Sequence, residues 1–138
     1  MSEAMSFQIA QYIENEGLGT LNEDIFISFQ PDSPNDCITI YDEAAPVYEP
    51  SHALAVDQFG IKVLVRNDSY FLAEQKLTEI HVRLVAFLDN KFVEDGPSIW
   101  TVMIQTPMAS IGKDKEGRNE WTAHYIVRAE SRGDKFRL

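Results

Sequence analysis

The residues best equipped for chemistry in this chain are three histidines and a single cysteine. His52, His81 and His124 are widely separated, and no two of them have the spacing of metal ligands. We therefore expect partly buried, hydrogen-bonded histidines. Cys37 opens a strand-like apolar run, which predicts a small buried side chain. Since it has no second cysteine as a partner, an intrachain disulfide is excluded.

Motifs that would bind a nucleotide or activate a serine are incomplete or missing. Gly17 and Gly19 lack the third glycine of a dinucleotide site, and Gly112 with Lys113 belongs to no phosphate-binding loop. The sequence has no Gly-x-Ser-x-Gly elbow. The adjacent carboxylates of Asp42 and Glu43 could bind a cation, but they more commonly form a solvated acidic corner. Because these motifs are incomplete or missing, we expect a protein that is not an enzyme, with no cofactor, no catalytic residue and no metal site.

Charge is distributed unevenly along the chain, whose formal net charge is −10. Residues 1–61 contain 11 acidic residues and no Lys or Arg, whereas residues 62–138 contain all 12 basic residues and 11 acidic ones. A protein that reads DNA sequence carries a basic excess, which this chain lacks. Two interpretations remain open: simple solubility, or self-complementarity between the acidic half of one copy and the basic stretch of another.

Hydrophobic periodicity predicts the elements that must position any functional residue. An N-terminal helix over residues 3–15 has Ser2 or Ser6 as its candidate cap, and a main helix over residues 69–88 begins at Ser69. Apolar residues recur every three or four positions along the main helix, as expected for a stripe that packs on a sheet. Strands are predicted over residues 24–29, 37–42, 58–66, 99–106, 109–111 and 120–129.

The resulting order is α-β-β-β-α-β-β-β, which predicts an α+β fold with a mostly antiparallel sheet packed by the two helices. The length suits one domain over residues 1–129, followed by a basic tail over residues 130–138. The long connection over residues 43–56 contains two prolines and suits a contact surface. We find no apolar run long enough to span a membrane and no secretory signal.

The most heavily charged turn covers residues 113–118 and lies between two predicted strands. It is either a solvated hairpin end or, in an oligomer, a loop that reaches a neighbour. Trp100 and Trp121 lie in strands predicted to be near each other, where packing in the core is favoured over anchoring an interface. Neither feature points to a substrate.

The sequence resembles a known family over about residues 7–128, and three blocks carry this resemblance. They are residues 38–42 before a Pro-containing loop, residues 61–70 before a helix that contains Ala73, Ile80 and Leu84, and residues 111–120 before a final strand. The third block contains the turn Gly112-Lys113-Asp114-Lys115-Glu116-Gly117-Arg118. Together they resemble the small phage proteins termed minor capsid proteins, which belong with the tail terminators of long-tailed phages. The chain departs from the family at Ala44-Ala45, where Gly-Gly is common, and at residues 57–60, which lack a common proline.

This resemblance implies a ring, usually of six copies, seated on the last ring of the tail tube. Such a ring stops tube growth, presents a surface to the head connector and lets DNA pass through its centre without sequence-specific binding. It would be part of the virion, in the tail or neck, after assembly in the host cytoplasm. No membrane is implied.

We expect the subunit interface to include a set of mainly basic and aromatic residues: Arg66, Tyr70, Lys113, Arg118, Arg132 and Phe136. Two alternative functions remain open. One is a head-completion protein of the same neck region, and the other is a small enzyme or ligand-binding α+β domain. The last alternative predicts a deep pocket with convergent polar groups.

Overall fold

A computed structural model describes residues 4–45 and 56–130 of the chain. Two helices, α1 (Met5–Asn15) and α2 (Tyr70–Val85), accompany six strands. The strands are β1 (Ile25–Ile27), β2 (Cys37–Glu43), β3 (Val56–Asn67), β4 (Leu88–Asn90), β5 (Ile99–Lys113) and β6 (Asn119–Glu130). In this part of the chain, neither helix has the length and apolar character needed to cross a bilayer.

The six strands form one sheet in the order β1-β2-β3-β6-β5-β4. β1 runs parallel to β2, and every other neighbouring pair is antiparallel. The predicted α+β class, the mostly antiparallel sheet and the element order are confirmed. The order also places the first strands along the chain at one edge of the sheet and β4 and β5 at the opposite edge.

Both helices cover the same face of this sheet, and the core lies between the helices and that face. α1 contacts β1, β2 and β3, and α2 contacts β3, β5 and β6. The predicted stripe of α2 is buried, as are the alternate residues of β6 that face it: Ala73, Leu77, Ile80 and Leu84 from the helix, and Trp121, Ala123, Tyr125, Val127 and Ala129 from the strand. This matches the helical and strand periods read from the sequence.

The chain between β1 and β2 must double back, because these two neighbours are parallel. Residues 28–36, which we call the return loop, bring the chain back to the end of the sheet where β2 begins. Gln30 Nε2 donates to Glu120 Oε2 at 2.8 Å, which fixes the return loop beside the start of β6. The arginines that hold the rest of this loop are described below.

Strand boundaries near the C-terminal end of the sheet differ from the sequence predictions. The two strands predicted at residues 99–106 and 109–111 are one continuous strand, β5, with several register shifts against β6. Pro107 is tolerated inside it because β5 has no described neighbour on its outer side beyond Thr101. α2 ends at Val85 rather than residue 88, and Leu88 begins the short strand β4.

The start of α1 is capped from another element. Ala4 is its N-cap and makes no side-chain cap hydrogen bond. Instead, Asp42 Oδ1 of β2 accepts from the backbone N–H of Ser6 at 3.1 Å, and its Oδ2 accepts from Ser6 Oγ. Ser6 therefore donates to the capping carboxylate and is not itself the N-cap. Ser2, the other candidate, lies outside the described residues. The predicted cap of α2 is present, since Ser69 Oγ accepts from Leu72 N at 3.3 Å.

Candidate subunit interface

The charged turn after β5 is held by the side chain of Asp114. One of its oxygens, Oδ1, accepts from the backbone N–H groups of Glu116 at 3.0 Å and Arg118 at 2.9 Å. Gly117 has a φ of +82°, a conformation that residues with a side chain rarely adopt. These features build a compact hairpin end whose shape is set locally.

Arg118 is nearly buried and joins this hairpin end to the return loop. Its Nε donates to Asp114 Oδ2 at 2.9 Å and its Nη2 to Glu116 Oε2 at 2.9 Å. Its Nη1 donates to the carbonyl oxygen of Asp32 and to Asn35 Oδ1. A planar guanidinium is needed to serve these four acceptors at once.

Arg66, at the end of β3, binds the same loop from the neighbouring strand. It is only 2% exposed. Its Nη2 donates to the carbonyl of Pro34 at 2.7 Å and its Nε to the carbonyl of Asn35 at 3.2 Å. Arg66 and Arg118 together form what we call the arginine clamp. Both guanidinium groups are engaged within their own subunit, and their proposed contact with a neighbour stays a prediction.

Electrostatics follow this arrangement. Burial alone would raise the pKa of Asp114, but hydrogen bonds from the amides of Arg118 and Glu116 and the adjacent guanidinium outweigh it, and its pKa is lowered. The carboxylate therefore stays charged. At Cys37, burial dominates over the nearby arginines and raises the pKa of the thiol. A thiol held in its neutral form is a poor nucleophile, in agreement with the buried side chain that the sequence predicts.

Tyr70 lies at the same end of the molecule, on the first turn of α2. Its ring packs against Trp121 with centroids 5.3 Å apart, and it remains partly exposed. Beside it, Asn119 Nδ2 donates to the carbonyl of Asp68 at 2.9 Å, which ties the start of β6 to the turn before α2. Trp121 is buried as expected, whereas Trp100 is partly exposed near the other end of the β5–β6 ladder.

The structure thus brings four of the six predicted interface residues to one end of the sheet. Arg66, Arg118 and Tyr70 are held there by the contacts above, and Lys113 is exposed at the end of β5. Arg132 and Phe136, with most of the predicted basic tail, lie outside the described residues. The same holds for much of the long connection over residues 43–56, including His52.

Sequence reasoning missed several exposed apolar residues. Phe71 is 73% exposed on the first turn of α2, and Phe29 is 67% exposed in the return loop. Ile104 and Ile111 are 48% and 54% exposed on β5. One signal was available for Phe71, because three consecutive apolar residues at a helix start cannot all face the core. Phe29 carried no signal, since its exposure depends on the path of the return loop.

The cavities at this end are small or shallow. One of about 60 Å³ lies between Cys37, Arg66 and Lys76, and another of about 290 Å³ runs along α2 beside Leu72 and Glu79. Typical ligand pockets are about 300–1,000 Å³ and bury most of their ligand. Among the described residues, no group of three or more His, Cys, Asp or Glu is placed to hold a metal ion.

The remaining described histidines make single structural contacts. His81 Nδ1 is 2.6 Å from the hydroxyl of Tyr125, which is fully buried under α2. Burial raises the pKa of this tyrosine, so its hydroxyl keeps its proton and can donate to His81 Nδ1 in the tautomer that leaves this nitrogen unprotonated. His124 Nδ1 is 2.9 Å from Glu43 Oε1, which places one of the two adjacent carboxylates in a pair across the sheet. Both histidines are hydrogen-bonded, as the sequence predicts.

These features define the class of protein: an α+β domain in which the converging polar groups of the described residues hold loops in place. The chain belongs to the bacteriophage tail terminator family, whose model, described as "Bacteriophage tail terminator protein", matches residues 12–131. The match confirms the resemblance seen in the three sequence blocks. No curated protein matches the chain at significant similarity.

A solved structure shows the same fold in another particle. A chain from the virion of a native gene transfer agent particle superposes with a TM-score of 0.64 and 16% sequence identity. The similarity covers 93% of this chain and 96% of that chain. At this identity the likeness concerns the fold, and the whole fold is shared.

Proposed function

We propose that this protein is a tail terminator in the full mechanistic sense. Six copies form a ring on the last ring of the tail tube, the ring stops further polymerisation, and its other side joins the head connector. The observation that carries the proposal is the family match over residues 12–131. The protein acts in the tail or neck of the virion after assembly in the host cytoplasm, and it acts by assembly rather than by catalysis.

Ring formation requires two unlike surfaces on each copy, because a head-to-tail contact that closes joins one patch to a different one. The sheet supplies unlike surfaces at its two edges, with β1 at one edge and β5 and β4 at the other. The net charge of −10 also suits a ring through which DNA passes, because like charge keeps phosphates from sticking to the wall.

The proposal is tested by removing the gene from a phage that carries it and measuring tails by electron microscopy. We expect tubes of uncontrolled length that are not joined to filled heads, and normal particles when the wild-type gene is supplied in trans. Tails of normal length that fail to join heads would instead indicate a head-completion protein. A pull-down with the tail tube protein separates the two roles, because only a terminator must bind the tube end.

A further inference from the structure

The longest run of the sequence without a charged residue is found on β5. No Asp, Glu, Lys or Arg occurs from Gly96 to Gly112, although a quarter of the whole chain is charged. Beyond Thr101 this strand has no described neighbour on its outer side, and nearly all of its residues from Ile104 onward are exposed. We call residues 102–112 the neutral edge.

An exposed strand at the edge of a sheet is a hazard for a protein that acts alone. Monomeric proteins commonly protect such an edge with charged side chains, prolines or bulges. The neutral edge has Pro107 and several register shifts against β6, but it has no charge. These irregularities prevent a long uninterrupted ladder of backbone hydrogen bonds, so side chains such as Ile104 and Ile111 must supply most of any contact.

The opposite edge of the sheet has a different character. Residues 4–45, which form α1, β1, β2 and the return loop, contain no Lys or Arg among the described residues and hold eight acidic residues. The outer side of β1 is covered at Ile25, whose backbone N–H donates to the carbonyl of Thr20 and whose carbonyl accepts from Asn22 N. The exposed ring of Phe29, however, follows two residues after the end of the strand. We call the segment from Glu23 to Phe29 the acidic edge, after the carboxylates of Glu23 and Asp24 beside the strand.

From these two surfaces we infer that the neutral edge of one copy contacts the acidic edge of a second copy. Apolar side chains are matched, with Ile104 and Ile111 on one side and Phe29 on the other. Charge is compatible, because the neutral edge adds no anion and is flanked by the exposed Lys113 and Lys115. The contact is head-to-tail and therefore suits a closed ring. This inference rests on the ring of the proposed function and names the surfaces that build it.

The test uses two glutamate variants, one for each edge. We expect Ile104→Glu and Phe29→Glu each to shift the mass of the full chain from a multi-subunit assembly to a monomer in analytical ultracentrifugation. Leu72→Glu is the matched control, since Leu72 is 53% exposed but lies on α2 beside Lys76 and belongs to neither edge. It is expected to assemble like the wild type. Ile111→Glu gives a second position on β5 if Ile104→Glu does not fold.

Mixing the two variants identifies the geometry of the contact. One intact edge remains on each variant, so an equimolar mixture is expected to form heterodimers that grow no further. A mixture that stays monomeric, or single variants that assemble like the wild type, would overturn the inference. A wild type that remains monomeric at all concentrations would overturn it as well. The measurement of tail length judges the proposed function separately, because it does not depend on which surfaces meet.

Discussion

At the scale of single residues, the arginine clamp gives a structural reason for two of the sequence blocks that carry the family resemblance. Arg66 precedes Tyr70, and Arg118 ends the Gly-Lys-Asp-x-x-Gly-Arg turn. Both appear in the sequence as surface charges. In the structure they bind backbone carbonyls of the return loop, including those of Asp32 and Pro34. Buried carbonyl groups need a donor, and these arginines supply it.

Replacing Arg66 with lysine should therefore destabilise the fold without removing the charge. Lysine lacks the planar fork that reaches Pro34 and Asn35 together, which leaves a buried carbonyl without its donor. We expect Arg66→Lys to lower the free energy of unfolding by about 1–3 kcal/mol in urea denaturation. Arg83→Lys, at a partly exposed ion pair with Glu16, is the matched control and should cost less than about 1 kcal/mol. Equal losses would argue against the clamp.

The pair of His81 and Tyr125 predicts a dependence of stability on pH. Burial lowers the pKa of His81 in the folded protein below its ordinary value, so the unfolded chain binds the proton more readily. The stability that neutral His81 contributes is therefore complete above about pH 6.5 and is lost as the pH falls through that value. His81→Asn keeps an acceptor for the tyrosine without titrating. Its melting temperature should fall less than that of the wild type between about pH 7 and pH 5, and parallel curves would refute this.

At the scale of elements, α1 depends on a cap that the sequence did not reveal. Ala4 offers no side-chain acceptor, and Asp42 reaches Ser6 from a strand that is distant in sequence. Asp42→Ala should lower the free energy of unfolding by about 1–2 kcal/mol and speed hydrogen exchange in the first turn of α1. Asp36→Ala, in the exposed part of the return loop, should change neither measurement. If both variants behave alike, the carboxylate of Asp42 is not a cap.

Elements whose structure depends on residues close together in the sequence were predicted, and features that depend on distant residues were not. The buried stripe of α2 and the alternation of β3 were predictable, because each depends on residues a few positions apart. The cap from Asp42 and the burial of Arg66 were not, because their partners come from elements that only the folded chain brings together. β5 was divided in two at Pro107, since its position at a sheet edge is a property of the sheet rather than of the strand.

At the scale of the whole molecule, the sheet order places the acidic and the neutral parts of the sequence at opposite edges of the sheet. The acidic first third of the chain forms one edge, and the neutral stretch of β5 forms the other. Two kinds of subunit contact are compatible with this arrangement. One is driven by opposite charges, as the sequence first suggested, and the other is driven by apolar contact along the neutral edge.

The dependence of self-association on salt distinguishes these two contacts. Every copy carries a formal charge of −10, so copies repel one another at low ionic strength. Exposed lysines such as Lys113 and Lys115 contribute about 0–1 kcal/mol each, too little to reverse that repulsion. We therefore expect association, measured by sedimentation, to strengthen as salt rises from about 0.01 M to 0.15 M and the Debye length shrinks from about 30 Å to 8 Å. Association that weakens over this range would show that opposite charges hold the subunits together, and would favour an interface around Lys113 and Arg118 instead.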